Sequence, residues 1–305
     1  MAQFGPVIVS VVFWGTTYWP IEIANDYVPP NMVADLRTTL SALVLIMALS
    51  MVRARLPRGR LLLWAIGTGL VMIGLFQWGL IQSVDLAGPG NAAILVNLAP
   101  LIVLALGALL LAERVTVMRV SGLLIGFGGV VLMVAAQVTT TGDAGRLIAG
   151  VGAGLLAAVA WSIGTIAIRR IARSDPGMDM RGFMSVQYVI GALVLLPAGA
   201  VAVAQDGAEW SSAELWAAAV WIGPVSAMGV LLFFVALKQL SATRASAFLF
   251  LVPATAVVVE IARGNVPNGL VLAGMLLAIL GVAIVSARAD RFSFRALLPS
   301  PFRSR

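Results

Sequence analysis

Long apolar runs alternate with short polar connections along almost the whole chain. A helix needs about 20 apolar residues to cross the hydrocarbon of a bilayer, and ten stretches of this kind can be counted. They cover about residues 4–24, 31–51, 61–82, 91–112, 117–137, 146–168, 182–204, 214–236, 245–262 and 267–287. The first lacks the basic start and cleavage site of a signal peptide, so it is interpreted as a retained span. The pattern predicts an all-α integral membrane protein with ten transmembrane helices.

Composition supports this environment. Of the 305 residues, 61% are hydrophobic and 11% are charged, against about a quarter charged in a soluble domain. Cysteine and histidine are both absent, which removes the usual thiolate and imidazole chemistry. The sequence also lacks a phosphate loop, a zinc-protease motif and a carboxylate cluster for two-metal catalysis. We therefore expect no catalytic residues, no metal site and no cofactor.

The basic residues indicate which loops face the cytoplasm, because Lys and Arg stay preferentially on that side. With the N-terminus inside, most of the 20 basic residues fall in inner loops or in the tail, whereas acidic residues dominate the outer loops. The alternation predicts an N-in, C-in, multi-pass protein of the inner (plasma) membrane. The net charge of +7 is spread between apolar runs, so membrane lipids, and not nucleic acid, are the expected macromolecular surroundings.

The two halves of the chain resemble each other. The motif around Trp161 matches that around Trp14, Gln187 falls opposite Arg37, and residues 244–253 match 91–100. The three positions Gly122, Gly126 and Gly129 match Gly274, Ala278 and Gly281. The alternative is coincidence among small apolar residues.

We divide the chain into a first repeat at 1–138, a second repeat at 139–288 and a basic cytoplasmic tail at 289–305. Each repeat has five spans, and five is odd, so the halves are expected to lie in the membrane with opposite orientations. Inverted repeats of this kind are typical of transporters that expose a central site to alternate sides.

These motifs together resemble the drug/metabolite transporter superfamily, specifically its ten-helix, two-repeat EamA-type branch. The motifs that carry the resemblance are Trp14-Gly15, Pro29-Pro30 before Ala34-x-x-Arg37, Asn91-Ala92-Ala93-x-Leu95 leading to Pro100, Leu111 to Thr116, and Gly122-x-x-x-Gly126-x-x-Gly129. The resemblance covers about residues 4–287. It implies secondary transport, often export, of amino acids, other metabolites or amphipathic drugs. The second half departs from the family pattern at 263–265, where Leu-Gly-Glu is usual.

Polar and aromatic side chains inside the spans are the candidates for a substrate pathway, since polar groups in hydrocarbon cost free energy. The expected pathway residues are Trp14, Tyr18, Glu22, Arg37, Trp78, Gln82, Trp161, Gln187 and Tyr188. Further polar candidates are Asn91 and Asn97 on the fourth helix and Ser246 on the ninth, although interhelical packing explains the asparagines equally well. The three indoles within spans could wall a cavity for an apolar or aromatic solute, or pack against lipid.

Some charged residues allow a structural interpretation instead. Glu22 and Arg37 lie towards the outer ends of the first two helices, where they could gate the mouth or bind substrate. Asp35 is interpreted as reaching the outer headgroups. Glu113 is interpreted as an interfacial ion pair or a device at a helix terminus, and Gly122-x-x-x-Gly126 as a site of close helix approach.

The function predicted from these observations is secondary transport by alternating access. The substrate is expected to be an amino acid or a similar small metabolite, moved outwards, and the indoles favour large neutral or aromatic side chains. Glu22 is a candidate proton carrier, but energy-independent transport is also open, as is the oligomeric state. One alternative is an exporter of drugs or cationic compounds, which needs a carboxylate in the cavity. The other is a polytopic membrane enzyme acting on lipid, which needs a polar catalytic cluster at one interface.

Overall fold

The computed structural model describes residues 2–52, 55–87, 89–135, 144–264 and 266–287, and within them the chain forms helices and turns without a strand. The helices, in chain order, are α1 Gly5–Gly15, α2 Tyr18–Asn25, α3 Pro30–Val52, α4 Arg60–Thr68, α5 Phe76–Ala87, α6 Pro89–Val96, α7 Ala99–Leu111, α8 Val117–Ala135, α9 Ala144–Ser174, α10 Met180–Asp206, α11 Ala213–Gln239, α12 Ala242–Ala247, α13 Leu251–Ala262 and α14 Gly269–Ser286. A π-helical segment, Gly69–Leu75, joins α4 to α5, and short 3-10 turns precede α1 and α13. The predicted tail at 289–305 lies outside the described residues.

Most of these helices are suited to hydrocarbon. Among the described residues, eight helical segments are long and apolar enough to cross a membrane, and Val117–Met133 is a shorter apolar helix. The eight segments are Gly5–Asn25, Arg60–Ala87, Ala92–Leu111, Gly145–Ser174, Met180–Asp206, Ala213–Gln239, Ala242–Ala262 and Gly269–Ser286. The prediction of an all-helical, multi-pass membrane protein is confirmed.

The first membrane segment is interrupted in its middle, between α1 and α2. The hydroxyl groups of Thr16 and Thr17 donate hydrogen bonds to the carbonyl oxygens of Phe13 and Trp14, at 2.8 and 2.7 Å. Hydroxyl groups that bond back to their own helix compete with its regular hydrogen bonds and bend it. The second membrane segment widens instead, at Gly69–Leu75, where its turns are π-helical. Both irregularities border a cavity between the helices, since Thr17, Met72 and Ile73 line it.

Helices α8 and α14 pack backbone against backbone. A Cβ atom added to Gly129 would lie 2.5 Å from the carbonyl oxygen of Gly274, and one added to Gly281 would lie 2.4 Å from the amide nitrogen of Gly126. Small residues allow such an approach where helices cross in a membrane. The interpretation of the glycine motif as a packing site is confirmed, and the packing joins one helix of each half.

Glu113 holds the start of another helix. It lies just beyond α7 and is 8% exposed. Its carboxylate accepts hydrogen bonds from the backbone N–H of Ala242 at 2.8 Å and from the N–H and hydroxyl of Thr243 at 3.3 and 3.0 Å. Arg173 lies 3.8 Å away. A carboxylate there satisfies N–H groups that the first turn of α12 leaves free. The interpretation of Glu113 as a device at a helix terminus is confirmed.

Two loop contacts tie helices of different halves together. Beside α2, the Tyr27 hydroxyl donates to Glu214 at 2.7 Å, and the backbone N–H of Glu209 donates to the Tyr27 carbonyl at 2.9 Å. The hydrogen bond to Glu214 raises the pKa of the Tyr27 phenol, because losing the proton would break it. Before α4, the backbone N–H of Arg55 donates to the Asp179 carboxylate at 3.0 Å. Helix α2 is thus linked to α11, and α4 to the turn after α9.

Candidate functional site

A cavity of about 620 Å³ lies between helices of both halves of the chain. This volume is within the range of roughly 300–1,000 Å³ that is usual for small-molecule sites. The first half contributes side chains from α1, α2, α3, α5, α6 and the π-helical segment, whereas the second half contributes Trp161, Tyr188, Val230, Leu249, Val252 and Pro253. The cavity therefore has mainly apolar walls with a few polar groups.

Aromatic rings form the floor of this cavity. Trp14 and Trp161 meet edge to face with their ring centroids 5.6 Å apart, and Phe76 lies 5.1 Å from Trp161. Phe233 backs both indoles at 5.7 and 5.6 Å. Such tilted aromatic contacts stabilise one another beyond simple burial. The floor is thus a rigid apolar surface suited to a flat or bulky apolar group.

Arg37 projects from α3 into the cavity above this floor. Its Nε donates a hydrogen bond of 2.8 Å to the hydroxyl of Ser226 on α11. Tyr18 and Tyr188 lie close enough to interact with its charge. No acidic side chain among the described residues forms an ion pair with it. A guanidinium group held in an apolar site without an anion attracts one strongly, and a carboxylate can bind it through two parallel hydrogen bonds.

The mouth of the cavity is acidic. Glu22 and Asn25 on α2 line it, as do Val84 and Asp85 on α5. The Asp85 carboxylate lies 3.5 Å from the guanidinium of Arg146. The carboxylate of Glu22 is exposed and makes no hydrogen bond or ion pair within the described part of the chain.

The depth of each group follows from its place along the helix. Glu22, Tyr18 and Trp14 follow one another about one turn apart, from the mouth to the floor. On α3, Pro30 lines the cavity, and Arg37 lies seven residues further, about 10 Å at 1.5 Å per residue. Arg37 therefore lies between the acidic mouth and the aromatic floor.

The structure brings only some of the expected residues to the cavity. Trp14, Tyr18, Glu22, Arg37, Asn97, Trp161 and Tyr188 line it. The Asn97 amide also donates to the carbonyl of Ala93 at 2.8 Å, so part of its capacity serves its own helix. The expected residues that are not among the lining residues are Trp78, Gln82, Gln187 and Ser246. Asn91 lies in α6, but its side chain is outside the described part of the structure.

Physical reasons account for three of the four residues outside the lining. Trp78 is 40% exposed, on a different face of α5 from the lining residues Gln77 and Ile81. Gln187 and Ser246 are fully buried, and the Gln187 amide donates to the hydroxyl of Thr68 at 2.7 Å.

Asp35 is more deeply buried than expected. It was expected at the headgroups, but it is 5% exposed, and its carboxylate accepts a 3.3 Å hydrogen bond from Thr39. The expectation was wrong because Asp35 faces α10: a Cβ atom on Gly199 would lie 3.4 Å from that of Asp35.

Arg37 and Gln187 occupy corresponding places with different consequences. Each lies on the second long helix of its half and bonds a hydroxyl on a helix of the other half, Ser226 for Arg37 and Thr68 for Gln187. Only Arg37 lines the cavity. Arg37 is therefore the one cation among the described residues that line the cavity.

Sequence reasoning missed several contributors. Phe76 belongs to the floor, Phe233 packs behind it, Ser226 orients Arg37, and Asp85 lies at the mouth. A single Phe or Ser in a uniformly apolar span carries no periodic pattern that distinguishes a cavity from the core. Asp85 was recognisable in principle, since it lies only one or two turns from Gln77 and Gln82.

Comparisons with known proteins agree with a transport site. The sequence model described as the EamA-like transporter family matches residues 6–135 and again 148–287. The uncharacterized transporter YvbV of Bacillus subtilis is 26% identical, covering 92% of this chain and 90% of its own. The probable terminal-alkyne amino-acid exporter of Streptantibioticus cattleyicolor is 26% identical, covering 92% of each chain. The aromatic amino acid exporter YddG of Ancylobacter novellus is 30% identical, covering 71% of this chain and 73% of its own.

Proposed function

Because this chain belongs to the EamA-like transporter family, we propose that it exports amino acids with large neutral or aromatic side chains across the inner membrane by alternating access. Transport itself follows from the family, and the relatives are named as transporters or exporters. The alternative of a lipid-modifying membrane enzyme is therefore not retained. The substrate class rests on the cavity.

The observation that carries the proposal is an arginine that has no acidic partner in the described part of the chain and lies between an aromatic floor and an acidic mouth. The α-carboxylate of an amino acid would bind the free face of Arg37, which Ser226 orients through Nε. The side chain would then lie on Trp14, Trp161 and Phe76, and the ammonium group would point towards Glu22. One ligand thus satisfies each feature of the site.

The proposed architecture is ten transmembrane helices in two inverted repeats, 1–138 and 139–288, with both termini in the cytoplasm and a basic tail at 289–305. The double match of the family model supports it, as does the glycine packing of α8 on α14. In this arrangement the acidic mouth faces the outside. The substrate pathway comprises the lining residues Trp14, Tyr18, Glu22, Arg37, Trp161 and Tyr188, with Asn97 at its side.

Counterflow in proteoliposomes tests the substrate class. Vesicles loaded with unlabelled phenylalanine, tryptophan or leucine should accumulate the labelled form of the same amino acid. This uptake should be faster than that of labelled lysine, sugar or nucleoside into vesicles loaded with the same unlabelled solute. Equal rates for every solute, or no counterflow of any amino acid, would contradict the proposal.

Replacing Arg37 tests the role of the cation. A hydrogen bond to a charged group contributes about 1.5–3 kcal/mol, so Arg37→Gln should lower the apparent affinity for the amino acid roughly tenfold to a hundredfold. Arg37→Lys should restore part of it, because the charge remains but the two-pronged geometry is lost. The matched control is Arg263→Gln, since Arg263 pairs with Glu260 at 2.6 Å and does not line the cavity.

An exporter of cationic compounds is the second candidate, because Glu22 and Asp85 place two carboxylates at the mouth. This alternative predicts that Glu22→Gln abolishes efflux of an organic cation and that Arg37→Gln improves it by removing a like charge. The amino-acid proposal predicts instead that the arginine variant is the severely impaired one. The two variants assayed with both solutes decide between the candidates.

A further inference from the structure

The end of the helix bundle opposite the mouth is closed by hydrogen bonds between α9 and α11. Helix α9 begins near the mouth, where Arg146 pairs with Asp85, and passes the floor at Trp161. Eight residues further, Arg169 donates to the carbonyl of Leu237 in the last turn of α11. Lys238 donates to the carbonyls of Pro176 and Met178 at 3.3 and 3.2 Å, in the turn that follows α9. These contacts join the two helices below the cavity.

The repeat identifies the counterpart of this closure at the mouth. Trp14 corresponds to Trp161, an offset of 147 residues, and Arg37 to Gln187, an offset of 150, so Glu22 corresponds to the helical turn that begins at Arg169. Both members of the first pair are in the aromatic floor. The carboxylate at the mouth thus lies in the turn of its helix that corresponds, in the other half, to the turn that carries the guanidinium of the closed end.

The helix that would receive Glu22 is identified by packing. A Cβ atom on Gly223 of α11 would lie 2.5 Å from the Cβ of Leu40, and one on Gly69 would lie 3.1 Å from the Cβ of Ile190. Leu40 and Ile190 follow Arg37 and Gln187 by three residues, so the two glycines correspond. Counting on from Gly223 to Leu237 therefore places the counterpart of Leu237 close to Ser83, in the last turns of α5.

The present structure is closed at the end that contains Arg169 and open at the mouth that contains Glu22. Arg169 contacts the end of α11, whereas Glu22 faces the cavity, as do Val84 and Asp85 on α5. The loop contact of Tyr27 with Glu214 links α2 to α11, and the contact of Arg55 with Asp179 links the start of α4 to the segment between α9 and α10. The helices joined by each contact are placed to move together. Separating α9 from α11 at the end opposite the mouth would therefore bring α2 towards α5.

The chemistry of the two contacts differs in one respect. An arginine donates to a carbonyl at any ordinary pH, but a carboxyl group donates only when it is protonated. The end of α5 presents carbonyl oxygens, the negative end of the helix dipole and the Asp85 carboxylate. An ionised Glu22 would be repelled by all three.

We propose that the outer mouth closes by contact between α2 and the last turns of α5, and that this contact forms when Glu22 carries a proton. The inference rests on the proposed alternating access, to which it adds a proton-dependent step. Charged and titratable groups around Glu22 on the neighbouring elements are Tyr18 and Asp26 beside it, Asp35 and Arg37 on α3, Glu209 and Glu214 near α11, Glu260 and Arg263 at the end of α13, and Asp85 with Arg146 across the mouth. Glu22 is the one among them that both lines the cavity on α2 and lies in the turn corresponding to that of Arg169.

Spin-label distances across the mouth test the proposal without any substrate. The chain has no cysteine, so Asn25→Cys and Val84→Cys label cleanly. In vesicles, the population at short distance should be larger at about pH 4 than at about pH 8, because this range includes the pH values at which ordinary carboxyl groups take up a proton. The Glu22→Gln side chain carries an amide N–H that donates a hydrogen bond at either pH. In this variant the short distance should therefore be populated equally at both pH values.

Two further variants sharpen the test. Glu22→Asp should keep the pH dependence, and so should Asp26→Asn, because Asp26 does not line the cavity. A parent protein with distances independent of pH, or a pH dependence that survives Glu22→Gln, would overturn the proposal. If the distances respond to pH as expected but no amino acid is transported, the substrate class fails and the gate stands.

Discussion

Replacing Glu113 tests whether one carboxylate holds the junction between α7 and α12. The Glu113→Ala variant removes the acceptor of the Ala242 and Thr243 backbone N–H groups, which lie in a buried site. Each buried donor left without a partner costs about 1–3 kcal/mol, and loss of a helix cap costs about 0.5–2 kcal/mol. These ranges describe partly the same loss, so we expect a destabilisation of about 3 kcal/mol. The Arg173 contact adds little, because that arginine is 42% exposed.

Thermal unfolding in detergent provides the measurement. For a large domain, 1 kcal/mol corresponds to roughly 2–4 °C in Tm, so Glu113→Ala should melt about 6–12 °C below the parent. Glu113→Gln keeps one acceptor oxygen and should lose about half as much. Since the chain lacks cysteine, thiol-reactive dyes cannot report unfolding, and tryptophan fluorescence or size-exclusion after heating serves instead.

The control is Glu209→Ala, because Glu209 is exposed and its structural hydrogen bond comes from the backbone N–H. Its Tm should stay close to that of the parent. If Glu113→Ala melted within about 2 °C of the parent, the carboxylate would not be stabilising the start of α12, and the assignment would be refuted.

Three further predictions concern packing and the cavity. Gly129→Ala should destabilise the protein by about 1–3 kcal/mol through overpacking, while the adjacent Gly128→Ala, whose Cβ meets nothing within 4 Å, should be neutral or slightly stabilising; equal melting temperatures would contradict the α8–α14 contact. Trp161→Leu should weaken the apparent affinity for aromatic amino acids by about twofold to tenfold, which is the contribution of one aromatic contact. Trp78→Leu should leave that affinity unchanged. If counterflow showed Trp78→Leu to be the more impaired variant, Trp161 would not belong to the substrate-binding floor. Ser226→Ala should raise the apparent KM with little change in Tm, since it frees Arg37 without removing its charge; an unchanged KM would show that this hydrogen bond does not orient the cation.

The sequence by itself determined the membrane class, because hydropathy is a property of each segment and needs no knowledge of its neighbours. It also determined two structural devices. The glycine spacing of α8 predicted a close helix contact, since the absence of a Cβ atom has the same consequence in any fold. Glu113, a lone acid at the end of an apolar span, was correctly assigned to a helix terminus, although its partner helix was not identified.

Only the tertiary structure decided which residues share the cavity. Trp14, Trp78 and Trp161 were equivalent in the sequence, yet two form the floor and one is exposed elsewhere. Arg37 and Gln187 were matched in the repeat, but only Arg37 reaches the site. The physical reason is the helical period: neighbouring residues point about 100° apart, and a helix that is apolar on every side carries no pattern that fixes its rotation. That rotation is set by contacts with other helices, which are distant in sequence.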